Sequence, residues 1–156
     1  MSGACSIARS LEVLGEKWTL LVIREAHAGV TRFADFRDGL GIAPDILTSR
    51  LGTLVDAGVL ERVPYQEPGS RQRHEYHLTD AGRELKVVLG ALQQWGDTHR
   101  PHSDGPADRR RTPDGRPLDV AFVDERGRAV PLPEVHFVSG AGGPGRASAR
   151  PACRTG

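Results

Sequence analysis

The sequence contains little cysteine, few aromatic residues and almost no net charge. Its 156 residues include two cysteines, Cys5 and Cys153, which are too few for a disulfide framework and are typical of a reducing cytoplasm. A net charge of +1 means that any surface for a polyanionic partner has to be local. No run approaches the roughly 18 apolar residues that a membrane span needs, and Arg9, Glu12 and Glu16 interrupt the stretch where a signal peptide would be apolar. We therefore expect a soluble, cytoplasmic protein without membrane contact.

The sequence also lacks the motifs of common catalytic, cofactor and metal sites. It has no phosphate-binding loop, paired-carboxylate motif or Ser/His/Asp order in a suitable local setting, so we expect neither an enzyme nor a bound cofactor. His74 and His77 are three residues apart on a predicted strand and therefore point to opposite faces. His99 and His102 flank Pro101 at a predicted helix end. We expect no metal site from either pair.

Composition divides the chain near residue 100. Residues 1–99 carry apolar stripes of helical or strand period, which are typical of a folded domain. Residues 100–117 are rich in proline, glycine and charge and are predicted to be a linker. Residues 118–138 alternate apolar and polar side chains around a turn, which predicts a β-hairpin extension. Residues 139–156 hold too little apolar surface to order and are predicted to be a disordered tail.

The hairpin prediction rests on apolar residues on each side of a turn at 124–127. Leu118, Val120 and Phe122 precede the turn, and Val135 and Phe137 follow it. A lone hairpin is only marginally stable in water. We therefore expect it to pack on its own domain or around a partner subunit, or to complete an effector pocket.

The first 99 residues predict five helices and a two-stranded wing. Gly15, Gly29 and Gly58 follow apolar stripes of helical period, and Pro44 suits the first turn of a helix. The first four predicted helices cover 7–14, 17–28, the segment RFADFRDGL after Thr31, and the residues from Pro44 to just before Gly58. Two strands follow over 59–65 and 73–78. Thr79 and Asp80 are predicted to cap a long last helix over 80–98. A glycine turn at 39–41 joins the third and fourth helices. This order predicts a mainly α fold, a winged helix-turn-helix with a small antiparallel β wing, extended by the hairpin.

Five segments in this order carry a resemblance to a known family. The chain resembles the HxlR-type regulators, winged helix-turn-helix transcription factors related to the MarR group, in GEKWTLLVIREA, TRFADFRDGL, LTSRLGTLVDAGVLERV, HEYHLTDAGREL and LQQWGD. The resemblance covers about Cys5 to Asp97. It implies a cytoplasmic homodimer that places one recognition helix of each protomer in a major groove of double-stranded DNA, with a basic wing over the neighbouring backbone or minor groove. Many members regulate adjacent genes in response to small electrophiles or metabolites.

The fourth predicted helix is the recognition helix that the resemblance implies. With its leucines facing inward, Thr48, Ser49 and Arg50 can donate to phosphates or base edges, although ordinary solvated positions would look the same. Asp45 departs from the lysine that many family members carry. A carboxylate there favours the helix dipole, caps exposed N–H groups or accepts a hydrogen bond from cytosine. In each case it replaces a phosphate contact, so we expect weaker DNA binding.

The predicted wing carries the main basic candidates. Arg71 and Arg73 flank Gln72 on the hairpin loop, where guanidinium groups suit phosphates or a narrow minor groove. A solvated hairpin tip is the alternative. Arg32 and Arg37, at the first helix of the motif, are further candidates for contacts with the DNA backbone. With so few cations we expect a shallow dependence of DNA affinity on salt.

Cys5 is the candidate sensor. It stands just before a predicted helix, where exposed N–H groups stabilise a thiolate. A cysteine near the N-terminus senses oxidants or electrophiles in some members of the family that the chain resembles. The alternative is a small residue that packs the first helix.

The long last helix carries an apolar stripe wide enough for its own domain and for a partner. Leu85, Leu89, Leu92 and Trp95 are predicted to form core and dimer seam together with the first helix. A crevice beside Trp18 or Trp95 is the predicted place for a small effector.

We expect a dimeric transcription regulator that binds an inverted-repeat operator and is modulated by a small molecule or by oxidation of Cys5. The competing hypothesis is a ligand-binding or protein-interaction module that keeps the winged-helix scaffold and binds DNA weakly or not at all. Asp45 and the near-neutral charge favour that second hypothesis.

Overall fold

The computed structural model describes residues 5–106 and 109–138. The chain divides into two units, one of Ile7–Val120 and one of Met1–Ser6 with Ala121–Gly156. The elements in chain order are α1 (Ser6–Leu14), α2 (Lys17–His27), α3 (Phe33–Leu40), α4 (Pro44–Asp56), β1 (Leu60–Tyr65), β2 (Arg73–Leu78), α5 (Asp80–Glu84), α6 (Lys86–His99), β3 (Phe122–Val123), β4 (Ala129–Val130) and a short 3-10 helix (Leu132–Glu134). Within the described ranges no helix is long and apolar enough to cross a membrane.

The predicted helix-turn-helix is present in α3 and α4. Gly41 ends α3 in the left-handed conformation, with φ of 60°, which costs glycine no steric clash. Pro44 opens α4 at the first helical position, where its missing N–H would have had no partner inside the helix. The short connection therefore fixes where α4 begins relative to α3.

One apolar core holds the helices of the helix-turn-helix together. Leu47, Leu51 and Leu54 are fully buried, so the predicted inner face of α4 is confirmed. The remaining buried apolar residues come from α1, α2, α3, the turn between α3 and α4, and the start of the wing: Leu14, Val22, Ile23, Phe36, Ile42, Val59 and Leu60. This burial leaves the opposite face of α4 for contacts outside the domain.

The wing is an antiparallel pair, β1 and β2, whose register runs from Leu60 opposite Leu78 to Tyr65 opposite Arg73. An isolated bridge between Arg32 and Glu75 adds the residue before α3 to the edge of β2. Next to it the Tyr76 amide donates to the Thr31 carbonyl at 2.8 Å. The wing is therefore joined by backbone hydrogen bonds to the segment that leads into the helix-turn-helix.

The prediction of one continuous helix over 80–98 is wrong, because the structure divides this segment at Leu85 into α5 and α6. The Thr79 hydroxyl caps α5 by accepting from the Gly82 amide at 3.1 Å, as the sequence predicted. Gly82 packs so closely on the residue before β1 that a Cβ there would lie 2.2 Å from the Val59 carbonyl oxygen. Leu85 has ψ of −9°, which departs from α-helical geometry. Apolar periodicity does not reveal a break of a single residue.

Residues 109–120, most of which we predicted as linker, have defined structure, and we call them the strap. Arg111 and Pro117 form a β-bridge around a turn, in which the Thr112 amide donates to the Arg116 carbonyl at 2.9 Å. The Gln94 side chain on α6 donates to the Val120 carbonyl at 3.0 Å and accepts from its amide at 2.8 Å. An isolated amide side chain thus satisfies the backbone of the strap as a neighbouring strand would.

A C-terminal hairpin exists, but it is shorter than predicted. Its strands are β3 and β4, and the turn closes with the Gly127 amide donating to the Asp124 carbonyl at 2.9 Å. Leu118 and Val120 precede the hairpin, and Val135 and Phe137 follow it, so their placement on the strands was wrong. Pro131 and Pro133 end the return strand because proline has no N–H for the ladder. The tail predicted over 139–156 lies outside the described residues, as does Cys153.

Candidate nucleic-acid interface

The outer face of α4 is polar and accessible. Asp45, Thr48 and Ser49 are exposed, and Arg50 is half-buried. The Thr48 hydroxyl donates to the Pro44 carbonyl at 2.8 Å, one helical turn back. It has to release this bond before it can donate to a phosphate, whereas its lone pairs can already accept. The structure thus brings these predicted residues together on one surface.

Asp45 lies in the first turn of α4. Ala43, which carries no polar group on its side chain, stands at the N-cap position. The first backbone N–H groups of α4 consequently point to the same end of the helix as the exposed carboxylate of Asp45. A negative charge at this end interacts favourably with the helix dipole and opposes the approach of a phosphate.

The tip of the wing places Arg71, Gln72 and Arg73 on exposed positions. The loop before them is shaped by internal hydrogen bonds. The Gln66 side chain donates to the Ser70 carbonyl at 2.9 Å, and the Ser70 amide donates to the Glu67 carbonyl at 3.0 Å. Arg71 at the end of this loop and Arg73 at the start of β2 are both exposed, so their guanidinium groups can reach an anionic surface.

Arg32, which we predicted to contact the DNA backbone, also has partners within its own domain. Its Nε donates to Glu75 Oε1 on β2 at 3.1 Å, and its Nη1 donates to Glu67 Oε1 in the wing loop at 3.0 Å. Its guanidinium carbon lies 4.6 Å from the centroid of the Tyr65 ring at the end of β1. One side chain at the start of α3 therefore contacts both strands and the loop of the wing. The side chain keeps 44% of its surface exposed.

Glu75 is the centre of this arrangement. Its second oxygen, Oε2, lies 3.0 Å from Nε2 of His77. The hydrogen bond from Arg32, and after it the one from His77, lowers the pKa of Glu75. The same contact with Glu75 raises the pKa of Arg32. The carboxylate is thus held in its charged form, with a cation on one side and an imidazole on the other.

Arg37, the other candidate at α3, is exposed and donates to its neighbour Asp38 at 2.8 Å. This hydrogen bond raises the pKa of Arg37 and lowers the pKa of Asp38. A carboxylate next to it offsets part of its charge toward DNA. Its case as a backbone contact is therefore weaker than that of the wing arginines.

The predicted stripe on α6 is mostly uncovered. Leu85 and Leu89 are half-buried and pack against the edge of the core, whereas Leu92 is 50% exposed and Trp95 57% exposed. Ile7 and Leu11 on α1 are exposed as well. These four large apolar side chains are all exposed in the described part of the chain.

A cavity of about 1,120 Å³ lies between α2, α6 and the strap. Leucines from both helices and several basic side chains line it. We predicted an effector crevice beside Trp18 or Trp95, and neither tryptophan is among the lining residues that the structure describes. Trp18 is half-buried beside the core, and Trp95 packs on the ring of His99.

Comparison with known proteins decides the family. The family model for HxlR-like helix-turn-helix proteins matches residues 13–104, which contain α2 to α6 and the wing. The chain belongs to the HxlR-like family. Rv3095 of Mycobacterium tuberculosis, an uncharacterized HTH-type transcriptional regulator, is 48% identical over 101 residues. That match covers 65% of this chain and only 63% of the relative.

Solved structures of other proteins are similar to this chain as well. The crystal structure of PA1607, a candidate transcription factor, is similar with a TM-score of 0.76 at 36% identity, over 87% of this chain and 95% of that chain. The redox regulator HypR in its reduced form is similar with a TM-score of 0.56 at 29% identity, over 62% of this chain and 94% of that chain. The match to PA1607 covers 87% of the chain, whereas residues 1–117 make up only three quarters of its 156 residues. The likeness to PA1607 therefore continues beyond residue 117. The likeness to HypR is about as long as the HxlR-like domain.

In this HxlR-like chain Cys5 is a free, exposed thiol that immediately precedes α1. Its position agrees with access to small oxidants or electrophiles in solution.

Sequence reasoning missed the carboxylates and amides that organise the site. Glu75 and Glu67 lie 43 and 35 residues after Arg32, and Gln94 lies 26 residues before Val120. No local pattern connects residues at such separations. The β2 register, which places Glu75 on the wing edge nearest α3, was the only available signal, and it does not identify the partner.

Proposed function

We propose that this HxlR-like protein is a homodimeric transcription regulator that binds double-stranded operator DNA in the cytoplasm. The observation that carries the proposal is the division of α4 into a fully buried leucine face and an exposed polar face, next to a wing with two exposed arginines. A helix of this kind fits a major groove, and a basic wing fits the adjacent backbone. Rv3095, the relative described above, is itself described as a transcriptional regulator.

Within this proposal the residues have separate roles. Thr48 and Ser49 on α4 read base edges or contact phosphates, because both are exposed, and the half-buried Arg50 beside them extends its guanidinium to the same groups. Arg71 and Arg73 supply phosphate affinity from the wing, with Gln72 between them. Arg32 positions the wing through Glu75 and Glu67 and retains enough exposure for a phosphate contact of its own.

The homodimer is proposed from the apolar surface of α1 and α6. Leu92 and Trp95 on α6, together with Ile7 and Leu11 on α1, expose large apolar side chains. Large exposed apolar patches mark interfaces more often than solvated surface. A two-fold dimer presents two α4 helices to an inverted-repeat operator.

Modulation by an effector or by thiol oxidation is the last part of the proposal. HypR, which is similar to this chain, is described as a redox regulator in reduced and oxidised forms. Cys5 is exposed and free, so it is the residue through which oxidation would act here. The cavity beside α2 and α6 offers an alternative site for a small molecule.

Binding to DNA from the region upstream of the protein's own gene tests the proposal. Fluorescence anisotropy at low and at moderate salt would compare that DNA with a scrambled duplex of the same length and composition. We expect a clear preference for the upstream DNA at both salt concentrations. Equal affinity for the two duplexes would overturn the regulator and favour the interaction module without sequence-specific DNA binding, which Asp45 supports.

A double variant localises the contact. Arg71→Ala with Arg73→Ala should weaken binding to the upstream DNA. Arg100→Ala with Arg116→Ala removes the same charge from the end of α6 and from the strap and serves as the matched control. If both double variants lose affinity equally, the wing has no specific role and only total charge matters.

A further inference from the structure

The cavity beside α6 has an apolar floor. Leu20 and Leu21 on α2 and Leu89 and Leu92 on α6 all line it. Its volume of about 1,120 Å³ is ample for a small ligand. The four leucines cannot hydrogen-bond, so they favour an apolar body over a sugar or a peptide backbone.

The strap makes one wall of this cavity and is firmly attached to α6. Besides the paired bonds between Gln94 and Val120, the Arg110 Nη1 donates to Gln93 Oε1 at 2.9 Å and lies 3.3 Å from an oxygen of Asp97. At Gly90 a Cβ would lie 3.0 Å from Cγ2 of Val120, so the strap approaches the helix as closely as a glycine permits. The wall is therefore a built feature and not a loosely placed loop.

The charges in the lining do not balance. Its two carboxylates are each paired with an arginine: Glu25 with Arg24 at 2.5 Å, and Asp97 with Arg110 at 3.3 Å. The other three cations of the lining, for which the described residues supply no carboxylate partner, are Lys17, Lys86 and Arg109.

The remaining titratable group, His27, does not offset this surplus. Its Nε2 lies 3.1 Å from the Gly82 carbonyl oxygen. Burial lowers the pKa of His27, and the charge of Lys86 lowers it further, although the hydrogen bond with Gly82 opposes both. At neutral pH the lowered pKa keeps the imidazole neutral. The Lys17 ammonium lies 4.8 Å from the centroid of the Trp18 ring, so Lys86 and Arg109 are the cations of the lining that the described residues leave without a charged or aromatic partner.

We infer that this cavity binds an apolar monocarboxylate, with the carboxylate at Lys86 and Arg109 and the apolar body on the leucines of α2 and α6. A neutral apolar molecule would leave Lys86 and Arg109 without a counter-charge, and a small inorganic anion would leave the leucines without a partner. Because Arg109 lies beyond residues 13–104, the site depends on a segment outside the matched HxlR-like domain. This inference deepens the effector part of the proposed function.

Titration calorimetry of the full chain, without DNA, tests the site with 1-naphthoate as the probe and 1-naphthamide as its neutral equivalent of the same shape. We expect 1-naphthoate to bind about tenfold more tightly than the amide. Lys86→Gln with Arg109→Gln should remove most of this difference. Arg71→Gln with Arg73→Gln, which removes two charges from the wing, should leave it unchanged.

Two results would overturn the inference: equal binding of the carboxylate and the amide, or an equal loss of naphthoate affinity in the wing variant. The absence of any binding up to about 1 mM would overturn it as well. Circular dichroism of the Lys86→Gln, Arg109→Gln variant checks that the lost affinity is not lost folding.

A separate titration of the upstream DNA distinguishes this inference from the proposed function. Selective naphthoate binding without DNA binding would support the site and overturn the regulator. DNA binding without selective naphthoate binding would support the regulator and overturn the site. A change in DNA affinity on adding 1-naphthoate but not 1-naphthamide would support both.

Discussion

Helices α4 and α6 are nearly equal in length, with 13 and 14 residues, and both carry an apolar stripe of helical period, yet they are buried very differently. In α4, Leu47, Leu51 and Leu54 are fully covered by the same domain. In α6 the structure, over the residues that it describes, buries no side chain, and Leu92 and Trp95 remain half-exposed or more. The same sequence pattern thus serves an internal core in one helix and an unfilled surface in the other.

The difference separates two kinds of function along one chain. The apolar face of α4 is satisfied internally, so only its polar face is available for a partner, and that face suits DNA. The apolar face of α6 is still exposed to water, so burying it against a second protein surface would be favourable. Five predictions, from the largest expected effect to the smallest, would sharpen or break this comparison.

Shortening a leucine should destabilise the fold much more in α4 than in α6. Leu51→Ala leaves a cavity in the core and should lower the free energy of unfolding by about 2–5 kcal/mol. Leu92→Ala, at a half-exposed site, should lower it by well under half as much at protein concentrations where the chain is monomeric. Denaturant unfolding measures both. Similar losses would mean that α6 is as deeply packed as α4.

The α6 surface should control assembly. Leu92→Asp in both protomers of a two-fold dimer removes two buried leucines and introduces two charges, so dimer dissociation should increase by at least about 100-fold. Sedimentation velocity over a range of concentrations measures it. Val63→Asp, at another exposed apolar residue on the wing, is the control and should not alter assembly. A Leu92→Asp protein that is still dimeric would place the interface elsewhere.

The wing arginines should dominate the salt dependence of DNA binding. Arg71→Ala with Arg73→Ala removes four phosphate contacts from a dimer, so operator affinity should fall by about 30-fold at low salt. The slope of log affinity against log salt should become shallower by about three to four. Anisotropy titrations at several salt concentrations measure both quantities. A lower affinity with an unchanged slope would contradict phosphate contact.

Asp45 should oppose DNA binding through its charge alone. Asp45→Asn retains the size of the side chain and should tighten operator binding by about threefold. Asp56→Asn removes the same charge at the far end of α4 and is the matched control, with a smaller expected gain. Weaker binding by the Asp45→Asn protein would show instead that the carboxylate accepts a hydrogen bond from a base.

The smallest effect concerns the ionisation of Glu75. Its hydrogen bonds lower its pKa, so the charged carboxylate stabilises the folded wing at neutral pH, and this contribution is lost as pH falls through the lowered pKa. Arg32→Ala should move the pKa of Glu75 back toward its ordinary range more than His77→Ala does, because the Arg32 bond contributes most. A pH titration of side-chain carboxyl shifts by NMR measures the order, and the reverse order would contradict the anchoring role of Arg32.

Much of the fold was predictable because its signals are local. Gly41 and Pro44 mark the turn of the helix-turn-helix, Thr79 marks the start of α5, and alternating residues mark the wing. The errors fell where a local signal is absent or ambiguous. Apolar alternation at Val135 and Phe137 resembled a strand, but the two preceding prolines had already ended the hairpin.

The candidate site was predictable in its exposed residues and not in its internal partners. Helical period placed Thr48 and Ser49 outward, and the loop between two strands placed Arg71 at a tip. The role of Arg32 depends on Glu75, which is distant in sequence and near only because the wing folds back beside α3. Predicting that contact would have required the packing of the wing as well as its existence.

The sequence by itself determined the order of helices and strands, the inward face of α4 and the family, since these depend on periodicity, turn residues and short motifs. Only the tertiary structure decided that α6 breaks from α5 at Leu85, that Arg32 joins α3 to the wing, and that the strap encloses a basic cavity against α6. The physical reason is the range of the interactions. Backbone geometry and apolar period act within a few residues, whereas hydrogen bonds between distant side chains form only after the chain has packed.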